Sequence, residues 1–418
     1  MIIRFIRYMN HKIKILTCHV DLVKLRIPLF LFIATLIIYY ITSGGTTPYN
    51  YFVYLADAFL HGRLYLTEHP SWLGELVPVN GKYYVIYPPM PALVILPFVA
   101  FRGMAFDQTL GSILIGSLNS VLVYMLVKKF FFEDNKRANM MALWMAILFS
   151  FGTIYWYLAS VGSSWYFAHV TAVFFLFWAL NEVFGKRRPL LIGILLGAAY
   201  WSRLPIIFSI LFFLLMLRDE WSNGAGEYVK SSKKNYILSI FKFSLGIGIF
   251  VCLNFLYNYL RFGSISDMAY YLQPGMMNEP WTREGLFNLI YIPSHLEILL
   301  FKGPLFLSTF PYIQPSWAGM AIWMTTPAFI FALKSPRDEI TLACWSAIIP
   351  VALLVMSHGG TGFTQFGYRY AMDFYPFLLI LTVRGMALNW YHKLFIGISI
   401  LVNLWGVLWI NKFGWVGW

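Results

Sequence analysis

Apolar residues come in long blocks separated by short polar and basic intervals, and the pattern recurs from residue 27 to residue 411 without a long polar stretch. A helix rises about 1.5 Å per residue, so about 20 apolar residues cross a hydrocarbon core of about 30 Å. On that ruler spans are predicted at 27–43, 108–127, 138–158, 165–184, 237–260, 317–333, 339–357, 370–386 and 393–411, with a double block at 189–217. Ser202-Arg203-Leu204-Pro205 interrupts the double block. Proline removes a helical donor and disfavours helix just before it, so the block reads as two short helices. Arg102, Gly103 and Asp107 divide another run, 89–127, into halves that are each long enough to cross.

Charge decides how that run is used. The intervals 1–26, 128–137, 186–188, 218–234, 334–338 and 384–393 hold 21 of the 31 Lys and Arg residues, the asymmetry expected of cytoplasmic loops. Keeping Lys128, Lys129, Lys136 and Arg137 on that side requires an odd number of crossings between residues 88 and 128, so one half does not cross. The run opens at Tyr87-Pro88-Pro89-Met90-Pro91, a strong helix interruption, so 89–106 is assigned as a re-entrant or interfacial helix on the outer side. The expected fold is therefore all-α, a polytopic transmembrane bundle of about eleven spans in the cell membrane, with the N-terminus cytoplasmic. It comprises a basic segment 1–26, taken as leading into a retained anchor, and one membrane domain, 27–418, with folded outer loops 44–107 and 261–316. The Gly- and Lys-rich interval 218–236 reads as an inner connector.

Composition agrees. The chain is 12% charged and 59% hydrophobic, where a soluble domain is about 25% charged, so the lipid bilayer is its solvent. A formal net charge of +13 raises nucleic acid as a partner, but the basic residues sit in short clusters between apolar blocks, which excludes it. Cys18, Cys252 and Cys344 offer neither a disulfide framework nor a metal spacing.

The polar residues that carry chemistry lie toward the predicted outer face. Thr47 before Pro48 is a good helix start, and a helix from there to Gly62 places Asn50, Tyr54, Asp57 and His61 on one stripe opposite Phe52, Leu55 and Phe59. Such a helix lies along the membrane surface. Its Asp57–His61 pair can take a proton from an acceptor hydroxyl, or form a solvated face. Ionisable groups at membrane depth are costly and mark function by default. Arg203, about fifteen helical residues from Arg188, suits a lipid-linked phosphate, its fork matching the oxygens, or acts as a structural cation at the Pro205 break. His169 stands one turn into its span, as ligand or as satisfied core residue. Asn254, Asn258 and Arg261 form a second stripe, and Arg369 and Asp373, four apart around Tyr370, are placed to pair.

The order of a span, an outer interfacial helix, a Gly-Arg turn, an outward Pro-Pro segment and a basic inner loop resembles the GT-C superfamily of polyprenyl-phosphate-sugar glycosyltransferases. The protein mannosyltransferase and aminoarabinose transferase branch is the nearest. The residues carrying the resemblance are Tyr51, Leu60, Gly62-Arg63-Leu64, Val79-Asn80-Gly81-Lys82-Tyr83-Tyr84, Tyr87-Pro88-Pro89-Met90-Pro91, and Arg369-Tyr370 followed by Pro376. It implies a GT-C-like bundle that transfers a sugar from a polyprenyl phosphate to a glycan, lipid or protein acceptor on the outer face, with inversion. In that family the catalytic acid stands near the start of the interfacial helix, which falls here at Thr47. The role passes to Asp57, with His61 beside it, or to Asp267 or Glu284. Arg203, Arg369, His169, Tyr370 and Asn258 are then the substrate-binding candidates. Metal dependence varies in the superfamily; no cofactor is assigned and no tight metal site is expected, a divalent ion being left open. Two other classes fit some of the same features. Broken helices and an intramembrane Arg occur in transporters, including flippases of lipid-linked sugars, and the missing acid at Thr47 suits a non-catalytic envelope-assembly protein of the same fold.

Overall fold

The computed structural model describes residues 22–130, 136–221, 228–230, 232–362 and 364–414. Most of the basic N-terminal segment and the Ser-Asn-Gly-Ala-Gly part of the inner connector lie outside them. The helices are α1 (Leu22–Thr42), α2 (Tyr51–Leu60), α3 (Met90–Arg102), α4 (Gln108–Lys128), α5 (Lys136–Phe151), α6 (Tyr155–Val161), α7 (Ser164–Val183) and α8 (Pro189–Tyr200), followed by α9 (Ile210–Arg218), α10 (Lys233–Phe262), α11 (Ile292–Leu300), α12 (Glu339–Met356), α13 (Tyr375–Gly385) and α14 (Trp390–Leu408). A hairpin of β1 (Leu76–Val79) and β2 (Lys82–Val85) lies between α2 and α3, turning through Asn80-Gly81, both at positive φ. Two further short hairpins pair 219–221 with 228–230 and 305–306 with 313–314.

The helical, membrane-type architecture expected from the sequence is the one observed, but the span count is smaller by length. Among the described residues six helices are long and apolar enough to cross a bilayer, or seven with α5 and α6 taken as one span bent by 58°. The bend falls at Gly152-Thr153, where the Thr153 hydroxyl bonds back to the Phe149 carbonyl (2.7 Å) and competes with the helical ladder. Residues 317–333, expected as one span, are instead a four-residue helical turn, Ile322–Thr325, and a tighter stretch from Pro327, because that proline cannot continue the helix. The 189–217 block breaks where expected, between α8 and the turn Leu204–Ser209. Helix α3 has thirteen residues, a rise of about 20 Å, short of the bilayer core.

The helix after the first span begins at Tyr51 and not near Thr47. The Thr47 amide is taken by the Thr109 hydroxyl (3.1 Å) at the start of α4, which holds this stretch as a turn. Phe52 and Leu55 are fully buried, so the apolar stripe packs into the protein, chiefly against α3.

Interhelical packing follows the rules of a lipid solvent, with small residues and buried hydrogen bonds at the seams. Asn119 of α4 donates to the Val170 carbonyl of α7 (3.0 Å), and Asn181 of α7 returns to the Leu122 carbonyl (2.9 Å). The α8–α10 seam is closer still. A Cβ on Gly193 would meet the Phe243 carbonyl at 2.1 Å, and one on Gly246 would meet the Leu190 carbonyl at 2.5 Å, so only glycine allows the backbones to touch.

Both long loops gather at one end of the bundle. Gln108 fastens that end, its side chain accepting from the Phe52 amide and donating to the carbonyl of Gly162 (2.9 Å) and the Ser164 hydroxyl (3.2 Å). Met90 N–H donates to the Trp201 carbonyl, Arg261 to the Val85 carbonyl, and Asn411 to the Thr42 carbonyl. The opposite end is basic, with ion pairs Arg188–Glu182, Arg218–Glu339 and Arg384–Asp338.

Candidate functional site

A cavity of about 180 Å³ opens at the loop end. Five pieces of chain line it: the exit of the hairpin (Ile86, Tyr87, Pro88), the start of α7 (Trp165, Ala168), the break after α8 (Ser202 to Pro205), the end of α12 (Leu354, Val355, His358) and the turn Arg369-Tyr370. Asp267, Tyr270, Leu286 and Phe287 of the second long loop complete it. The sequence breaks make this possible. Because the chain leaves helix at Ser202 and re-enters at Leu204, Arg203 is extended (φ −148°) and turns its side chain inward at the end of α8.

Arg203 is held by Asp373, which is fully buried. Its Nε and Nη2 donate to the two carboxylate oxygens at 3.2 and 2.9 Å, and His169 Nδ1 lies 2.9 Å from the same carboxylate. A carboxylate only accepts, so His169 Nδ1 carries the proton. The expected Arg369–Asp373 pair is thereby corrected: Asp373 is committed to Arg203 and His169. Arg369 instead lies over the rings of Tyr166 and Tyr370, at 5.5 and 5.3 Å, and its backbone amide is fixed by Gln365. The Arg203 guanidinium also lies near Tyr370, 5.6 Å from its ring, so both arginines share this aromatic neighbour. Arginine has five N–H donors, and those of Arg203 not turned to Asp373 remain for a ligand.

Asp267 is the carboxylate that lines the cavity; a second carboxylate, Glu75, lies outside the lining but bonds the lining residue Trp165 and sits in the field of Arg369, and the sequence reading did not single it out. It precedes β1, its backbone amide donates to the Tyr51 hydroxyl (3.0 Å), and its Oε2 accepts from the indole of Trp165, a cavity-lining residue (2.9 Å). Burial raises its pKa to about 7, against the opposing pull of the Trp165 hydrogen bond and the positive field of Arg369. A lone acid in Leu73-Gly74-Glu75-Leu76, without periodic partners, gives no signal in one sequence.

Of the expected residues, Arg203, Arg369 and Tyr370 are brought together, and Asp267 lines the same cavity. His169 is buried behind Asp373 and positions it. Asp57 and His61 are paired with each other, Oδ2 to Nδ1 3.5 Å, but neither lines the cavity, and His61 is exposed. Asn258 accepts from Arg261 Nη2 (2.8 Å) while Arg261 Nη1 holds the Val85 carbonyl (2.9 Å), so this stripe clamps the hairpin to α10 and does not line the cavity. Among the described residues no group of three or more His, Cys, Asp or Glu is gathered to hold a metal ion.

His295 is a further buried group. Its Nε2 faces the His358 carbonyl at 2.8 Å and so carries the proton, leaving Nδ1 to accept from the Tyr368 hydroxyl at 2.6 Å. Burial lowers its pKa to about 4. His295→Phe orphans both partners at about 1–3 kcal/mol each, and a fall in the thermal midpoint of the detergent-solubilised protein should register it.

No protein family matches this chain, and no curated protein does. Solved structures do. ArnT from Cupriavidus metallidurans bound to undecaprenyl phosphate aligns over 89% of this chain and 63% of its own, with TM-score 0.52 and 13% identity. The S. cerevisiae protein O-mannosyltransferase Pmt1-Pmt2 complex bound to the sugar donor aligns over 62% of this chain and 37% of its own, with TM-score 0.36 and 17% identity. The chain spans less than two thirds of the length of either neighbour. The likeness is one of fold, shared with the ArnT structure.

Proposed function

We propose that the protein is a membrane glycosyltransferase that moves a sugar from a polyprenyl-phosphate donor to a hydroxyl acceptor on the extracytoplasmic face. The observation that carries this reading is the lining of one cavity by Arg203 and Arg369, with Glu75 held against the lining Trp165 in the field of Arg369. The structural neighbour of similar fold was captured with undecaprenyl phosphate, the class of carrier assigned here. The basic clusters at the opposite end of the bundle support a cytoplasmic side there under the positive-inside rule, and with it an outward-facing cavity.

In the proposed step an acceptor hydroxyl oxygen attacks the anomeric carbon from the face opposite the phosphate. The bond from that carbon to the phosphate oxygen breaks, and its electron pair leaves with the phosphate, held by Arg203 and Arg369. The hydroxyl proton passes to Glu75, whose pKa near neutrality suits a base at physiological pH. Tyr270, Tyr370 and Trp165 supply aromatic walls for the sugar.

Membranes containing the wild type should transfer labelled sugar from polyprenyl-phosphate carriers. Arg203→Ala should lower that rate by about 10²–10³-fold, the usual cost of removing one preorganised charge stabiliser. Equal rates in the two would overturn the reading, as would passage of lipid-linked sugar across liposomes with no transfer to any acceptor.

A further inference from the structure

The turn Ser357-His358-Gly359-Gly360 closes one wall of the cavity and has no part in the step above. Its position is built from the second long loop. Asn288 N–H donates to the Ser357 carbonyl (2.7 Å), Gly359 N–H to the Leu286 carbonyl (3.0 Å), and His295 to the His358 carbonyl. The fit is tight enough that a Cβ on Gly359 would meet the Trp281 carbonyl at 1.9 Å.

The imidazole is oriented as firmly as the backbone. Both Gly360 backbone groups face His358 Nδ1, the N–H at 3.2 Å and the carbonyl at 3.1 Å, so the ring is anchored through Nδ1 and its Nε2 is left for another partner. With Gly360 N–H donating to Nδ1, and likewise in the imidazolium, Nε2–H is a donor. His358 lies 6.1 Å from Tyr370, the ring that Arg203 and Arg369 flank at 5.6 and 5.3 Å, so three donors surround one side chain in one cavity. Burial and the fields of both guanidiniums hold His358 below its usual pKa, so it enters as a neutral donor and adds no third charge to an empty site.

We propose that His358 is a third contact of the carrier's phosphate, its Nε2–H donating to an oxygen that Arg203 and Arg369 leave unfilled. This rests on the reading of the cavity as a lipid-phosphate site. The carrier released by the transfer is a phosphate monoester with three terminal oxygens, one more than the donor's diester presents. Two guanidiniums near Tyr370 supply donors to such a group, and a donor from the turn after α12 supplies a further contact that fixes its rotation.

The test is binding of undecaprenyl phosphate, with undecaprenol as the uncharged control, to the purified full chain in nanodiscs. The wild type should prefer the phosphate. His358→Ala should weaken phosphate binding by about tenfold, the loss of one hydrogen bond to a charged group, and leave undecaprenol binding unchanged. His358→Gln, which keeps an N–H donor near the Nε2 position, should return to within about threefold of the wild type. An Ala variant that binds phosphate as the wild type does, or a Gln variant as weak as Ala, overturns the assignment while the functional reading stands. A wild type that does not distinguish phosphate from alcohol overturns both.

Discussion

Glu75→Gln is expected to lower sugar transfer by about 10²–10⁴-fold, the range supplied by a positioned general base. The amide keeps the shape of the side chain and a carbonyl oxygen for the Trp165 indole, so the donor should still bind. The wild-type rate should climb about tenfold per pH unit below pH 7 and level off above it, because the active form is the carboxylate and its pKa lies at about 7. The variant should lose that limb. Stability moves the other way. A carboxyl whose folded pKa is raised contributes most below its unfolded value of about 4.5 and loses that contribution as pH rises through 7. At pH 8 the glutamine variant is therefore expected to melt no lower than the wild type. Inactivity with an unchanged or higher midpoint identifies the base; inactivity with collapse would point to unfolding, and an unchanged rate would remove Glu75 from the chemistry.

The second large effect is at Asp373. Asp373→Ala removes a fully buried carboxylate that two Arg203 bonds and His169 share. Breaking a buried pair by deleting one partner costs about 3–5 kcal/mol, because the other charge is left unpaired. The variant should melt several degrees lower and lose transfer, since Arg203 loses the bonds that aim it. The double variant Asp373→Leu with Arg203→Met should regain most of the stability, as apolar replacements of buried pairs do, and remain inactive. Recovery of transfer in the double variant would sink the phosphate role of Arg203.

How much of this was legible follows from what each residue depends on. The break at Ser202–Pro205 was readable because proline acts locally, and Arg203 lies at that break. The gathering of both long loops at one end was readable from the spacing of basic clusters. The 317–333 helix failed because the apolar run masks Pro327, whose effect is decided by the Thr326 backbone. The partner of Asp373 was missed for a different reason: the i+4 neighbour Arg369 is the nearest cation in sequence, while the one it binds is 170 positions away. Glu75 depends on burial by elements from three parts of the chain, and no window of the sequence contains them.

The glycine seam between α8 and α10 has a practical consequence. Only the inward row of α10 meets protein, while Ile237, Phe241, Leu245 and Ile249 stay exposed along its outer row. Those positions form a calibrated depth scale. Spin labels placed one by one along them would sense oxygen and water accessibility rising and falling with the bilayer, and would fix how deeply the bundle sits without touching the cavity.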